Sequence, residues 1–156
     1  MRQNYIDDWE RWQEEFSFSI PVHVRFSDTD MNGHLSNTVA AVYFEYARIE
    51  FIKHLGVGGD WLSTDSDVMA VIADLQVDFM RQVYFDEQLT IHVKVESIGK
   101  SSADVHYLAV NEKGEACLTA RSALVQASKS TGRSVAWSEK ERSLLGHGTF
   151  EKANTR

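Results

Sequence analysis

One cysteine and one proline among 156 residues remove two kinds of structure from consideration. Cys117 cannot close a disulfide within the chain, and no CxxC or Cys/His spacing surrounds it, so neither a disulfide framework nor a structural zinc site is expected. It reads as a small buried hydrophobe in a strand, in a reducing compartment. No run approaches the roughly 18 apolar residues that a membrane span needs. Positive charge is scarce as well: 16 Lys and Arg stand against 23 Asp and Glu, a net charge of -7. Such a field repels nucleic-acid phosphate and anionic lipid. The opening "YIDDWERWQEEF" is acidic and aromatic where a secretory signal would be basic and then apolar. A soluble cytoplasmic protein with neither nucleic-acid nor membrane partners is the expectation.

What is present suffices for one core. With 43% hydrophobic residues over this length, the chain reads as a single domain spanning 1–156. Tyr5, Trp9, Trp12 and Phe16 recur at helical spacing, which predicts a helical extension over 1–18 laying an aromatic stripe on the domain or on a partner subunit. "IPVHVRFSD" then alternates Val22, Val24 and Phe26 with His23, Arg25 and Ser27, as a half-buried strand does, with Pro21 at its start. A helix is predicted from Asn37 to Leu55, capped by Ser36 or Asn37 and stopped by Gly56. Its apolar residues leave so little polar face that it should be covered on most sides.

Beyond the "GVGGDW" loop, four strand-like runs follow without another convincing helix before "SEKERSLL", and the tail 147–156 is expected to fray. Tight turns join neighbouring runs, so an antiparallel sheet is the natural arrangement. One apolar helix and about five long strands can be satisfied together by an α+β fold, a curved antiparallel sheet wrapped around the helix. The order strand, helix, four strands excludes a doubly wound parallel sheet.

The chemistry concentrates between these elements, in "DTDMNGHLSN", residues 28–37. Asp28 and Asp30 can hold the turn through backbone N–H groups, as Asp does in many loops. Yet the loop opens directly onto the N-terminus of the long helix, whose first N–H groups have no intrahelical partner and whose macrodipole favours negative charge. A carboxylate and a helix end facing a common pocket supply what acyl-transfer hydrolysis needs: a group to attack the carbonyl or to activate water, and donors for the developing oxyanion. His34 can orient Asp30 or a water, carry a proton, or simply bond within the turn. Asp28, Asp30 and His34 are also metal-ligand types, but no second ligand cluster appears, and no metal is expected. Nucleophile-elbow, P-loop and Rossmann signatures are absent.

Residues 22–56, "VHVRFSDTDMNGHLSNTVAAVYFEYARIEFIKHLG", resemble the opening of the 4-hydroxybenzoyl-CoA thioesterase-like family of hotdog-fold acyl-CoA thioesterases. The likeness rests on a strand, Asp-x-Asp, x-x-Gly-His, a nearby Asn and the helical run "FEYAR". More loosely, it extends over residues 20–136. It implies the hotdog fold and hydrolysis of an acyl-CoA thioester, with no cofactor. It places the catalytic carboxylate on Asp30, the carbonyl-polarising backbone N–H at Asn37 and a site-shaping role on His34, and leaves Asp28 as support. Tyr43, Glu45 and Arg48 match the helix signature as packing or buried pairing. The family usually forms homodimers or homotetramers with sites at the interface, so a homo-oligomer is implied. Within the fold, a non-catalytic acyl-binding protein and a hydroxyacyl dehydratase remain alternatives, and the acyl carrier is CoA or an acyl carrier protein. Arg81, Lys100, Lys129 and Arg133 are the candidates for a basic rim toward CoA.

Overall fold

In the computed structural model of the chain, residues 3–150 are described. Five strands, β1 (Phe18–His23), β2 (Val68–Phe79), β3 (Gln88–Ile98), β4 (Ser102–Val110) and β5 (Ala116–Ser128), form one antiparallel sheet in the order β1-β3-β4-β5-β2. Between β1 and β2 runs α2 (Asn37–Leu55), preceded at the start of the chain by α1 (Trp9–Glu14) and followed after the sheet by α3 (Glu139–Gly146). This is the α+β hotdog arrangement, with the longest helix against the inner face of the sheet.

Strand alternation decides what that face carries. Leu89, Ile91, Val93 and Val95 of β3 point inward and are almost fully buried, as are Val105, Tyr107 and Ala109 of β4. Against them α2 lays Ala40, Phe44, Ala47 and Phe51, and the Phe44 and Tyr107 rings meet at 5.2 Å. Each large side chain fully buried here contributes about 1.5–3 kcal/mol relative to exposure. Register shifts at Ile72/Asp74, Val95/Ser97 and Ala109/Val110 mark bulges of the kind that bend a sheet. Gly56 ends α2 in the left-handed conformation, φ 78°, and its N–H returns to Ile52 and Lys53 carbonyls.

Two expectations need correction. The helix is not covered on most sides: Val42, Tyr46 and Ile49 are about half exposed, and the edge strand β2 likewise shows Val71, Ile72, Leu75 and Phe79 to solvent. The apolar coat seen in the sequence is buried against the sheet on one side and exposed in the single chain on the other. Nor does the first strand continue through Ser27. The chain leaves the sheet after His23, and Phe26–Asp28 form a 3-10 turn held by the Arg25 N–H on Asp28 Oδ2 (3.0 Å), so Phe26 faces outward. At the rim of the core, His54 is exposed with its ring 5.0 Å from Phe18.

The aromatic stripe lies across the outer face, its helix only six residues long, with Trp12 edge-on to Phe16 at 4.8 Å. Cys117 is buried. Of the tail expected to fray, Gly148 lies within the described residues and its carbonyl accepts from the Val95 N–H (2.9 Å), while residues 151–156 lie outside them. Among the described residues, no helix is long and apolar enough to cross a membrane.

Candidate active site

The Asp-x-Asp segment folds into a miniature hairpin at the root of α2. Thr29 bridges Leu35, the Asp30 N–H donates to the His34 carbonyl (2.8 Å), and Gly33 takes φ 76°, a left-handed conformation that glycine adopts without strain. Leu35 is tied by its N–H to Val83 (2.7 Å). The loop is therefore anchored to the chain that follows β2, and Asp30 cannot drift far from the start of the helix.

The two acids have opposite environments. Asp28 is 4% exposed; its carboxylate accepts the Tyr43 hydroxyl (2.6 Å), Arg25 Nε and Nη2 (both 3.2 Å) and the Arg25 N–H, while its carbonyl accepts the Ser36 N–H (2.9 Å). Burial pushes its carboxyl up, but the Tyr43 hydroxyl and the Arg25 donors outweigh burial and hold it below the usual carboxylate range. Conversely, burial and then the facing carboxylate push the Tyr43 phenol up. The pair clamps the loop to the second turn of α2. Sequence reading assigned Asp28 a supporting role, but its partner could not be named, because Tyr43 sits inside an apolar arc with nothing local to mark it.

Asp30 is exposed. Its Oδ1 accepts the Asn32 N–H (2.8 Å) and, at 3.4 Å, the His34 N–H. Among the described residues, Oδ2 has no partner. These bonds are the turn-holding role a carboxylate plays in such loops, and they also fix its orientation. His34 contributes that backbone donor, whereas its ring lies edge-on to Tyr84 with centroids 5.2 Å apart. Its side chain is directed to Tyr84 and not to the Asp30 carboxylate.

The helix end is unusual within this chain. Asp8 caps α1 by accepting from the Arg11 N–H, and Ser138 caps α3 by accepting from the Glu141 N–H, both at 3.1 Å. Ser36 occupies the N-cap position of α2 but makes no side-chain cap bond; its hydroxyl pairs with Thr38 Oγ1 (3.0 Å) instead. The expected Ser36 or Asn37 side-chain cap is thus not formed. Asn37, the first helical residue, is exposed; the Ser36 carbonyl takes the Val39 and Ala40 N–H groups (3.0 and 3.3 Å), while no side-chain cap from Ser36 covers those of Asn37 and Thr38.

A cleft of about 150 Å³, lined by Leu35, Phe79, Met80, Val83 and Leu118 together with Arg81 and Gln82, opens beside the loop. A second cleft, of about 280 Å³, has Asp28 and Tyr43 in its wall together with Val42 and Tyr46. Asp30 lines neither. Around it Met31 is 97% and Phe26 77% exposed, with Tyr84 and Phe85 about half exposed. Of the proposed basic rim, Arg81 lies at this end of the sheet, paired with Glu115 (3.2 Å). Lys129 and Arg133 lie beyond the end of β5, whose Ser128 pairs with the first residue of β2, and Lys100 precedes β4, so all three sit at the opposite end. Glu45 is exposed, and Arg48 is buried with its guanidinium on the Tyr107 hydroxyl (3.2 Å). Among the described residues, no three His, Cys, Asp or Glu side chains gather closely enough to hold a metal ion.

A family model described as the thioesterase-like superfamily matches residues 24–145. An uncharacterized protein of Bacillus subtilis (strain 168), YsmA, is 42% identical over 144 residues, 92% of this chain and 95% of YsmA. The acyl-CoA thioesterase YbgC of Haemophilus influenzae is 27% identical over 81 residues, 52% of this chain and 60% of YbgC. Among solved structures, a thioesterase of Thermus thermophilus complexed with coenzyme A and Zn is 28% identical, with a TM-score of 0.71 over 83% of this chain and 98% of that one.

Proposed function

We propose, for a chain that belongs to the thioesterase-like superfamily, that it hydrolyses acyl-CoA thioesters at the junction of the Asp30 loop and the start of α2. The observation that carries this reading is the uncapped first turn of α2 beside an oriented, exposed carboxylate. The thioester carbonyl oxygen docks on the N–H of Asn37, where the helix dipole favours the charge that develops. Asp30 Oδ2 then either attacks the acyl carbon, giving a mixed anhydride that water opens, or takes a proton from the water that attacks. In both routes the C–S bond breaks, CoA leaves as thiolate and is protonated, and the acyl group departs as a carboxylate. The His34 N–H helps to hold the Asp30 oxygen, and the Asp28–Tyr43 clamp sets the loop against the helix.

A second copy of the chain completes the site. The exposed apolar residues of α2, of β2 and of the loop mouth form surfaces larger than a solvated monomer needs, and β2 is an open edge. Pairing into a homodimer or homotetramer would cover them and enclose Asp30, which in one protomer is exposed and lines neither cleft. The CoA carried by the Thermus relative supports CoA as the carrier here, with an acyl carrier protein as the other possible donor. The chain acts in the cytoplasm, where acyl-CoA is found.

Thiol release over a panel of acyl-CoAs tests the reading, with turnover expected for at least one acyl class. Enoyl absorbance growing from a hydroxyacyl-CoA without thiol release would show a dehydratase instead. Tight acyl-CoA binding with neither signal would show a non-catalytic acyl-binding protein.

A further inference from the structure

The outer face of the sheet carries buried ionisable groups that the proposed hydrolysis does not use. Lys94 of β3 is 2% exposed and His106 of β4 is 1% exposed. Both lie under the N-terminal segment, residues 5–16. Lys94 Nζ pairs with Glu15 and with Glu96 Oε2 (2.8 Å) and lies 5.6 and 5.2 Å from the Trp12 and Phe16 ring centres. The register shift between Val95 and Ser97 leaves Glu96 without a cross-strand partner, so it is free to turn toward Lys94. Tyr5 extends the cover to β5 and β2, its hydroxyl within 3.0 Å of Thr119 Oγ1 and 3.1 Å of Asp78 Oδ2. Trp12 is buried, yet it is no part of the inner core cluster. The segment is a strap on the back of the sheet, and the inner core does not depend on it.

One bond under the strap exists in a single protonation state. The Trp12 indole Nε1–H donates to His106 Nδ1 (2.9 Å), and His106 Nε2 lies 3.2 Å from Asp104 Oδ2. An indole nitrogen only donates, so Nδ1 must be bare and the ring proton must sit on Nε2, donating to Asp104. We infer that His106 is a pH-sensitive latch for the N-terminal strap, closed while its imidazole is neutral and opened when Nδ1 takes a proton.

The groups facing His106 bear on this from every side. Within the sheet its register neighbours are Lys94 and Arg121, both cationic; Asp104 is shared with Arg121 (2.6 Å), and Glu96 Oε2 stands 3.7 Å from Nδ1. From the strap it meets the indole N–H and the edge of the Tyr5 ring, centroids 5.2 Å apart, with Glu15 engaged on Lys94. A proton on Nδ1 sets two N–H donors head to head, and its available acceptor is Glu96. Its Oε2 is already engaged by Lys94 Nζ (2.8 Å), so the carboxylate must move toward Nδ1 to take it. Glu15 and Asp104 have carboxyls held below their usual range against burial, Glu15 by Lys94 and Asp104 by His106 and Arg121, so both stay ionised between pH 8 and 5. His92, beneath Phe16, is held down by burial and titrates lower than a free histidine. Between pH 8 and 5, His106 is the group under the strap whose charge change breaks a strap bond.

The test uses the full-length, 15N-labelled chain. Between pH 8 and 5 the Trp12 indole N–H resonance, assigned from a Trp12→Phe spectrum, should shift with the midpoint of the His106 ring's own titration. Amide exchange of residues 9–16, normalised to intrinsic rates, should rise on the order of tenfold, the effect of losing one buried hydrogen bond. His106→Gln should abolish the pH response whether its strap rests open or closed, and His92→Gln should keep it. A Trp12 resonance indifferent to pH, a midpoint differing from that of His106, or an undiminished response in His106→Gln would overturn the latch. If His106→Gln does not fold, the two midpoints in the unaltered chain decide the matter.

Discussion

The two faces of this chain treat polar groups in opposite ways. Behind the sheet, every charge under the strap is matched: Lys94 has two carboxylates and two aromatic faces, and Asp104 is shared by His106 and Arg121. At the front, α2 starts without a side-chain cap, and Asp30 keeps an oxygen without a partner among the described residues, beside exposed Phe26 and Met31. Saturation holds structure, and unspent donors and acceptors are where a substrate can be bound. The Asp28–Tyr43 clamp is the boundary between the regimes, a saturated pair directly behind an open site.

The largest effect on stability should come from the saturated face. Lys94→Ala leaves Glu96 without its cation and Glu15 with Arg11 alone, and removes the stem packed under Trp12 and Phe16, at a cost of about 3 kcal/mol. Urea unfolding should show it, with turnover per folded molecule unchanged. Next, Tyr43→Phe removes the hydroxyl that donates to the buried Asp28, costing about 1.5–2 kcal/mol. Because the clamp positions the loop, this variant should also lower kcat more than it alters KM.

Acid should reach the clamp and the strap through their carboxylates. Asp28, Asp104 and Glu15 are each depressed in the folded chain, so each contributes stability that is fully present above the ordinary carboxylate value of about 4. That contribution is lost as pH falls through the lower folded values. Unfolding followed from pH 6 to pH 2 should steepen below about 4, and less so in Tyr43→Phe. The smallest expected effect sharpens the comparison most. Ser36→Asp gives α2 the side-chain cap it lacks and should add about 0.5–1 kcal/mol, while its negative charge beside the Asn37 N–H opposes the developing oxyanion and slows turnover. A variant equally stable and equally active would mean that the helix end is not used.

Much of the fold was legible before any coordinates, because its signals are local. Alternation along β3 placed Leu89, Ile91, Val93 and Val95 on one face, and the start and stop of α2 fell at Asn37 and Gly56. What the sequence hid is what depends on distant partners. Val42, Tyr46 and Ile49 read as buried because they are apolar, but in the single chain they are about half exposed. The alternation through Phe26 looked like more strand, yet an Arg25–Asp28 bond three residues long was enough to turn the chain out of the sheet. The DTD motif marked the loop, while Tyr43 opposite Asp28 and the Ser36–Thr38 pairing that leaves α2 uncapped had no signature in their neighbours. The aromatic stripe was legible as packing; the Lys94 and His106 network beneath it was not, since only the register of β3 with β4 brings those residues together.

The central claim is that the front of the molecule cleaves thioesters through Asp30. Its most direct test is thiol release by the Asp30→Asn variant, on the best acyl-CoA of the panel, beside the unaltered chain and with unfolding midpoints measured for both. Turnover lower by on the order of a hundredfold or more, at nearly unchanged stability, is the predicted result. Equal turnover in a folded Asp30→Asn protein would contradict the account.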